Sequence, residues 1–501
     1  MPSAAGLATL LLATRSACAT PLIVDCDRGG SLVAARDALR QQRLLLPMDT
    51  AYPHAAVEVR GRCRGRLELS GALDAHVSWS GHGGASHSGG LPLPPSALEP
   101  VSSAAVKALL PAAVHTVVQQ VNLTALGLNV SDMGTLRPHH YPGGDAQINF
   151  FLFEGSGQAE LFWNGEPLHL ARYPNSPDDQ LLVPQNSMRI ASVHRQGNAG
   201  VEVTTIKSSK VAGLAPSNTQ LERWADELAA GRPVWAHGEF SGLGWADVHK
   251  PIVGVNASAH TVSSVYNPPN PSNSEGRSTP SGWFKVYNLL SELDTAGEYI
   301  IGEFQGSLLL LVYPPSSDAG GAIENSHGFV LSMEDAPVLH VHDTAGVSFA
   351  GIDIEYGRSW GAVIDNCNGC EISNCRIANF GINAVNVTGG SGFKLRNAEV
   401  TGTGQGGVIF EGGDRQTLTP ANHTIQNCSI HRFARIMQKY CPGVCLTGVG
   451  HSILNSSLFD GAHFGMLLTG NDHTIRGNHF HNLVYGGADA GAIYSGRDWT
   501  Y

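Results

Sequence analysis

The sequence predicts an all-β chain, a parallel β-solenoid that carries an inserted β-rich domain, and three observations carry that prediction. The first is a motif of aliphatic, any, Asn, any, any, aliphatic that returns between Val338 and Tyr501. It reads ISNCRI (Ile372 to Ile377), LRNAEV (Leu395 to Val400), IQNCSI (Ile425 to Ile430), ILNSSL (Ile453 to Leu458) and IRGNHF (Ile475 to Phe480), where Gly477 replaces Asn. The positions 374, 397, 427, 455 and 477 lie 23, 30, 28 and 22 residues apart, so the unit is a coil of variable length. The second is a short strand recurring between these motifs, starting at Ala362, Ala384, Val408, Val444, Met466 and Ala492. Short strands parted by Gly, Asn, Asp and Thr, with no helical period between them, make stacked coils that bury apolar side chains against one another. The Asn at a fixed place is expected to stack as a ladder, its amide bonding backbone in a tight turn. The third is composition: 15% charged residues and 60 glycines in 501, against roughly 25% and 7% in ordinary domains. An antiparallel sandwich would not hold one register over five units.

Taken in order, residues 1–19 read as a secretory signal peptide. An apolar run from Ala4 to Ala13 precedes Ala17-Cys18-Ala19, a small-x-small cleavage pattern, although no basic residue precedes the run. Residues 20–100 read as an N-terminal cap and first coil: a short strand, a helix from Leu32 to Gln42, and two strands from Ala56 to Ser70. The Gly, Ser and Pro-rich stretch from Ser80 to Pro100 reads as an exposed loop, with His82 and His87 solvated. Residues 101–336 lack the repeat and read as the inserted domain, with strands near Ile148, Ala159, Pro233 and Leu308 and one helix from Thr219 to Ala230. Residues 337–501 are the main stack, ending within a coil and therefore expected to be truncated.

Removing Cys18 leaves eight cysteines, an even number suited to an oxidising compartment, with Cys26–Cys63 and Cys441–Cys445 as the first expected pairs. Cys367, Cys370 and Cys375 have knuckle spacing, but no second CxxC or HxxxH completes a zinc set. Sequons stand at Asn122, Asn129, Asn256, Asn386, Asn422, Asn427 and Asn455, of which Asn427 and Asn455 are ladder positions expected to stay unmodified. A net charge of -11 argues against a nucleic-acid partner, and a polyanionic glycan would need a local basic patch or a bridging cation. No stretch reaches the 18 or so apolar residues of a membrane span; the run Leu308 to Val312 meets Pro314 and Pro315. The protein is expected to be secreted.

The stretches Glu160 to Asn175, Trp283 to Ile300, Gly470 to Val484 (GNDHTIRGNHFHNLV) and Asp489 to Thr500 (DAGAIYSGRDWT) resemble right-handed parallel β-helix proteins of the pectin-lyase-like superfamily. They resemble most its branch with an inserted β-domain, related to β-helix glycoside hydrolases, over most of Glu160 to Tyr501. The resemblance implies a right-handed β-helix and carbohydrate chemistry. The chain departs from the polygalacturonase type, since its NTD, DD, GHG and RIK motifs are missing, and the basic pairing of calcium-dependent pectate lyases is missing too. The family also runs for more coils past GRDWT.

Coil alignment by the Gly-led strand places Val363, Val385, Ile409, Cys445, Leu467 and Ile493 in one inward column, and Ile364, Asn386, Phe410, Leu446, Leu468 and Tyr494 in the outward neighbour. Phe410 and Tyr494 are then either a sugar-stacking platform or a face packed on the insertion. Three residues on, Asp414, Asp472 and Asp498 share a column, putting Asp472 and Asp498 on neighbouring rungs roughly 5 to 6 Å apart, the spacing of a retaining acid and nucleophile. Either carboxylate also suits a turn that caps backbone amides. Asp489 leans over the same face, Arg497 adjoins Asp498, and His473 is a candidate base. Ca2+ held by Asp472, Asp489 and Asp498 is the competing use of these carboxylates; no other cofactor is implied. His479 and His481 share one side of a strand, and Asp460 with His463 forms a D-x-x-H turn, so His463, Asp460 and His481 join the substrate-binding candidates. Glu411 reads as structural. The expected function is a glycoside hydrolase on a polysaccharide or oligosaccharide, with a polysaccharide lyase or a non-catalytic glycan-binding solenoid as alternatives.

Overall fold

The computed structural model describes residues 21–46, 52–136, 157–175, 182–196, 201–206, 214–265, 277–315 and 328–495. The expected signal peptide, the strand expected near Ile148, Arg497 and Asp498 lie outside the described residues.

Three stacks of short parallel strands form a β-helix. The first stack runs through Leu67–Ser70, Leu339–His342, Ala362–Asp365, Val385–Thr388, Val408–Gly412, Val444–Gly448, Met466–Leu468 and Ile493–Ser495. The second contains Glu371–Ser373, Lys394–Arg396, Thr424–Gln426, Ser452–Leu454 and Thr474–Arg476, and the third Arg376–Phe380, Glu399–Thr401, Ser429–His431, Ser457–Gly461 and His479–Leu483. Alternate residues point inward, so Ile354, Ile377, Val400, Ile430 and Leu458 form one fully buried column of the third stack. Each such side chain contributes about 1.5–3 kcal/mol by leaving water.

Turns between stacks are fixed by columns of left-handed residues. Between the second and third stacks one such residue per coil makes the corner: Gly351, Asn374, Asn397, Asn427, Asn455 and Gly477. Asn and Gly tolerate this conformation where other residues are strained. The ladder expected from sequence is present, but its amides bond one another: Asn397 Nδ2 donates to Asn374 Oδ1 at 3.0 Å and Asn427 Nδ2 to Asn397 Oδ1 at 3.2 Å. Asn427 and Asn455 are exposed, so burial does not shield their sequons.

At the N-terminus the helix Leu32–Leu44 covers the open end, burying Leu32, Ala35 and Leu39. The stretch expected to be an exposed loop is instead mostly strand, Val77–Ser88 and Gly90–Pro92; the first pairs with the second and third stacks and buries His87. Glycine composition misleads here because Gly83 and Gly84 serve a bend within the strand at φ 64° and 78°. Gly90–Pro92 pairs with Phe329–Ser332, so strand pairing to the insertion begins before residue 101.

The insertion contains a five-stranded sheet around Glu298–Phe304 and Ser307–Val312, a seven-stranded sheet around Met188–Gln196 and Trp283–Tyr287, and the helix Asn218–Ala229. That helix starts at a capping box of Ser217 and Gln220 and buries Leu221 and Trp224. Disulfides join Cys26 to Cys63 and Cys367 to Cys370. The pairing expected for Cys441 and Cys445 is absent; both thiols are free and buried.

Candidate functional site

The outer face of the first stack is the face that the insertion approaches. Its strand register makes Leu339, Ala362, Val385, Val408, Val444, Met466 and Ile493 the inward column, and His340, Val363, Asn386, Ile409, Cys445, Leu467 and Tyr494 the outward one. The column expected from sequence had mixed the two, because Val385 and Ile493 stand one residue out of step, and a one-residue slip exchanges the faces. Ile409, Cys445 and Leu467 are aliphatic yet outward because Tyr440, Phe464, Trp245 and Trp360 pack on them. Phe410 points into the core with no exposure and is not a sugar platform. Tyr494 does face outward, stacked on Phe464 with centroids 5.3 Å apart and rings 22° from parallel.

Two residues further along each strand, the outward column reads His342, Asp365, Thr388, Glu411 and Thr447. Asp365 and Glu411 therefore project from the same side two coils apart, a separation of roughly 9–10 Å at about 4.8 Å per coil. His340 Nε2 lies 3.0 Å from Asp365 Oδ2, and Glu411 is exposed. Glu411 is thus not the inward structural group expected from sequence. Thr469 Oγ1 donates to Thr447 Oγ1 at 3.4 Å, whereas Ser495 pairs with Leu468 in an inward column.

The other sequence candidates are scattered. Asp472, at φ 58°, occupies the left-handed corner between the first and second stacks, where Gly346, Gly369, Gly392, Asn422 and Gly450 stand in earlier coils. Asp414 is not in that column; it sits in the excursion after Gly413 and caps the Gln416 amide at 2.8 Å. His473 stacks on His451 at 5.2 Å, which stacks on His423 at 5.1 Å, a ladder at a corner of the helix; its Nε2 is 3.0 Å from Thr469 O. That bond and the stacking hold His473 as a structural ring. Asp460 is a left-handed corner residue that accepts from Asn482 Nδ2 at 3.2 Å. His481 lies on the outer face of the third stack, against Phe459 at 4.6 Å, and so on a different face from Tyr494. His463 is fully buried beside Tyr440 and Phe464, and burial pushes its ring down to about 4. Asp489 is exposed at φ 54°. Among the described residues, the clusters able to hold a metal ion include neither Asp472 nor Asp489.

Sequence reasoning missed the seam between the insertion and the loops that lead into the first stack. A cavity of about 190 Å³ lies there, lined among others by Glu160, His237, Gln405, Arg435 and Gln438. Arg435 pairs with Glu160 at 2.8 Å. His237 Nε2 meets the buried Asp247 carboxylate at 2.7 Å, and that carboxylate accepts the amides of Gln438 at 2.8 Å and Lys439 at 3.1 Å. Burial opposes charge on Asp247, yet these bonds hold its carboxyl below the usual range. Nearby Glu239 carries the opposite shift: burial pushes it up to about 7. The neighbouring His249 uses Nδ1 on Tyr287 at 2.9 Å and Nε2 on Ile436 O at 3.0 Å, and its ring stacks on that of His237 with centroids 3.9 Å apart. Nothing periodic marks these residues, which come from two distant parts of the chain.

No curated protein matches the chain. The family description Right handed beta helix region matches residues 340–495. Among solved structures, one titled Glycoside hydrolase aligns at 12% identity and TM-score 0.59, covering 93% of this chain and 82% of its own. That likeness extends to the whole architecture, insertion included, and shows the fold. A pectate lyase, Pel9A, aligns over 31% of this chain and 52% of its own (12% identity, TM-score 0.21). The A-module of the Azotobacter vinelandii mannuronan C-5 epimerase AlgE4 aligns over 32% and 64% (13% identity, TM-score 0.18).

Proposed function

We propose that this right-handed parallel β-helix protein is a secreted glycoside hydrolase that acts on a polysaccharide or oligosaccharide across the outer face of its first stack. The observation that carries the reading is the pair Asp365 and Glu411, projecting two coils apart beside a shelf of Trp245, Trp360, Tyr440 and Tyr494. Aromatic rings offer flat apolar faces for sugar rings, and carboxylates about 6.5–9.5 Å apart leave room for a water between acid and base. Asp365, oriented by His340, takes the proton of that water; Glu411 protonates the leaving oxygen; the product has inverted configuration. The solved glycoside hydrolase of the same architecture supports the sugar-directed reading, and the Cys26–Cys63 disulfide with the expected leader supports an extracellular place.

The test is release of reducing ends from a panel of plant, algal and bacterial glycans. Glu411→Gln and Asp365→Asn, with folding matched by circular dichroism, are expected to lose activity by about 10²–10⁴-fold. Asp472→Asn and Asp498→Asn serve as the comparison. Loss confined to Asp472 and Asp498 would move the site to the final coils, and an unsaturated product would make the enzyme a lyase.

A further inference from the structure

A second constellation stands on the N-terminal coils of the first stack. Glu68 projects from Leu67–Ser70 and pairs in register with His340 of the adjacent strand, Leu339–His342. Because alternate strand residues share a face, His340 and His342 both project outward, their rings 4.7 Å apart. One ligand atom from each of Glu68, His340 and His342 falls within 4.8 Å of the others.

Each histidine is held on its far side by a carboxylate. His342 Nδ1 is 3.1 Å from Asp343 Oδ2, and Asp343 Oδ1 is itself fixed by Asn366 Nδ2 at 3.2 Å. His340 Nε2 is 3.0 Å from Asp365. Carboxylates so placed set the tautomer and aim the opposite ring nitrogen, the arrangement that outer partners give metal-binding histidines. The nitrogens thus aimed are His342 Nε2, 3.1 Å from Glu68 Oε1, and His340 Nδ1. A cationic group already lies at this convergence: Arg66 Nη2 is 3.0 Å from Glu68 Oε2 and 3.5 Å from His340 Nδ1.

We propose that Glu68, His340 and His342 bind a divalent transition-metal ion of the zinc class, and that the ion displaces the Arg66 guanidinium from the position it fills. Two imidazole nitrogens and one carboxylate oxygen suit Zn2+ and its borderline neighbours, whereas Ca2+ and Mg2+ prefer sets made of oxygen alone. Three protein ligands leave a position open for water or a sugar hydroxyl on the face that the proposed hydrolase uses. The site itself does not rest on that reading.

Titration of the full chain with Zn2+ by calorimetry, and with Co2+ by visible absorption, tests it. One ion per chain is expected, with no response to Mg2+. His340→Ala and His342→Ala should each weaken binding 100-fold or more, and Asp343→Asn about 10-fold. Arg66→Ala should tighten binding, because the competing cation is gone; a merely structural cluster would not gain affinity from that change. Glu411→Gln should leave the metal affinity unchanged, which separates this site from the hydrolase reading. The proposal is overturned if Zn2+ binds the folded His340→Ala/His342→Ala double variant as it binds the parent, or if neither the parent nor Arg66→Ala binds Zn2+ saturably.

Discussion

Arg435 clamps Glu160 with Nη1 at 2.8 Å and Nη2 at 3.3 Å while its Nε donates to Gly402 O at 2.8 Å, so one guanidinium ties the insertion to two coils of the β-helix. Both side chains are mostly buried, at 13% and 14% exposure. Removing one partner strands the other charge in the seam. Arg435→Ala is expected to cost about 3 kcal/mol, and the Arg435→Met/Glu160→Leu double variant less than Arg435→Ala alone. Urea unfolding of the singles and the double measures the coupling.

The asparagine corner gives a second expectation. Asn397 holds φ 48°, donates to Asn374 and accepts from Asn427. Asn397→Ala loses both bonds and replaces a residue that tolerates the left-handed region with one that does not, a loss of about 2–3 kcal/mol. Asn397→Gly keeps the conformation and should recover about 1 kcal/mol of it. Thermal unfolding of the two variants separates the bond from the backbone term.

The spacing of Asp365 and Glu411 predicts a stereochemical outcome. Proton NMR of the first product, taken before mutarotation, should show the anomer opposite to the substrate linkage. Retention would place the working carboxylates one coil apart instead of two.

The histidine ladder gives a pH dependence. Burial pushes His423 and His451 down to about 4, with His423 and His473 also pressing on His451. The unfolded chain takes up protons as pH falls below about 6.5, and the folded rings refuse them until about 4. The stability present above pH 6.5 is therefore lost between 6.5 and 4, at roughly 1.4 kcal/mol per pH unit for each ring. His451→Gln should flatten that slope by about one ring's share, read from urea midpoints at pH 7 and pH 5.

The helix was legible in the sequence because its corners demand particular residues. Only Asn and Gly sit easily at positions 374, 397, 427, 455 and 477, so the coil period is written in residue types. The faces of the first stack were harder. Ile409, Cys445 and Leu467 are apolar like core residues, since aromatic side chains of the β-helix loops and Trp245 of the insertion cover them, and only the register separates them from Phe410, which is core. Position 385 misled by the same route: Val385 faces inward, yet it was aligned with outward Ile409 through a shift of one residue. The seam at His237, Asp247 and Arg435 left no local pattern, because its geometry arises only when two folded parts meet. Asp472 reads as catalytic in the sequence because it aligns with Asp414 and Asp498; its left-handed backbone places it instead at a corner where earlier coils have Gly346, Gly369 and Gly392.

The excursions 413–420 and 432–443 absorb most of the excess in the two long coils, while the left-handed corners keep their columns through them. Length change in this chain is thereby channelled to segments bordering the first stack. Changes of length within those segments leave the strand register of the coils untouched, so the loops that border the first stack can be remodelled without disturbing the scaffold that carries them.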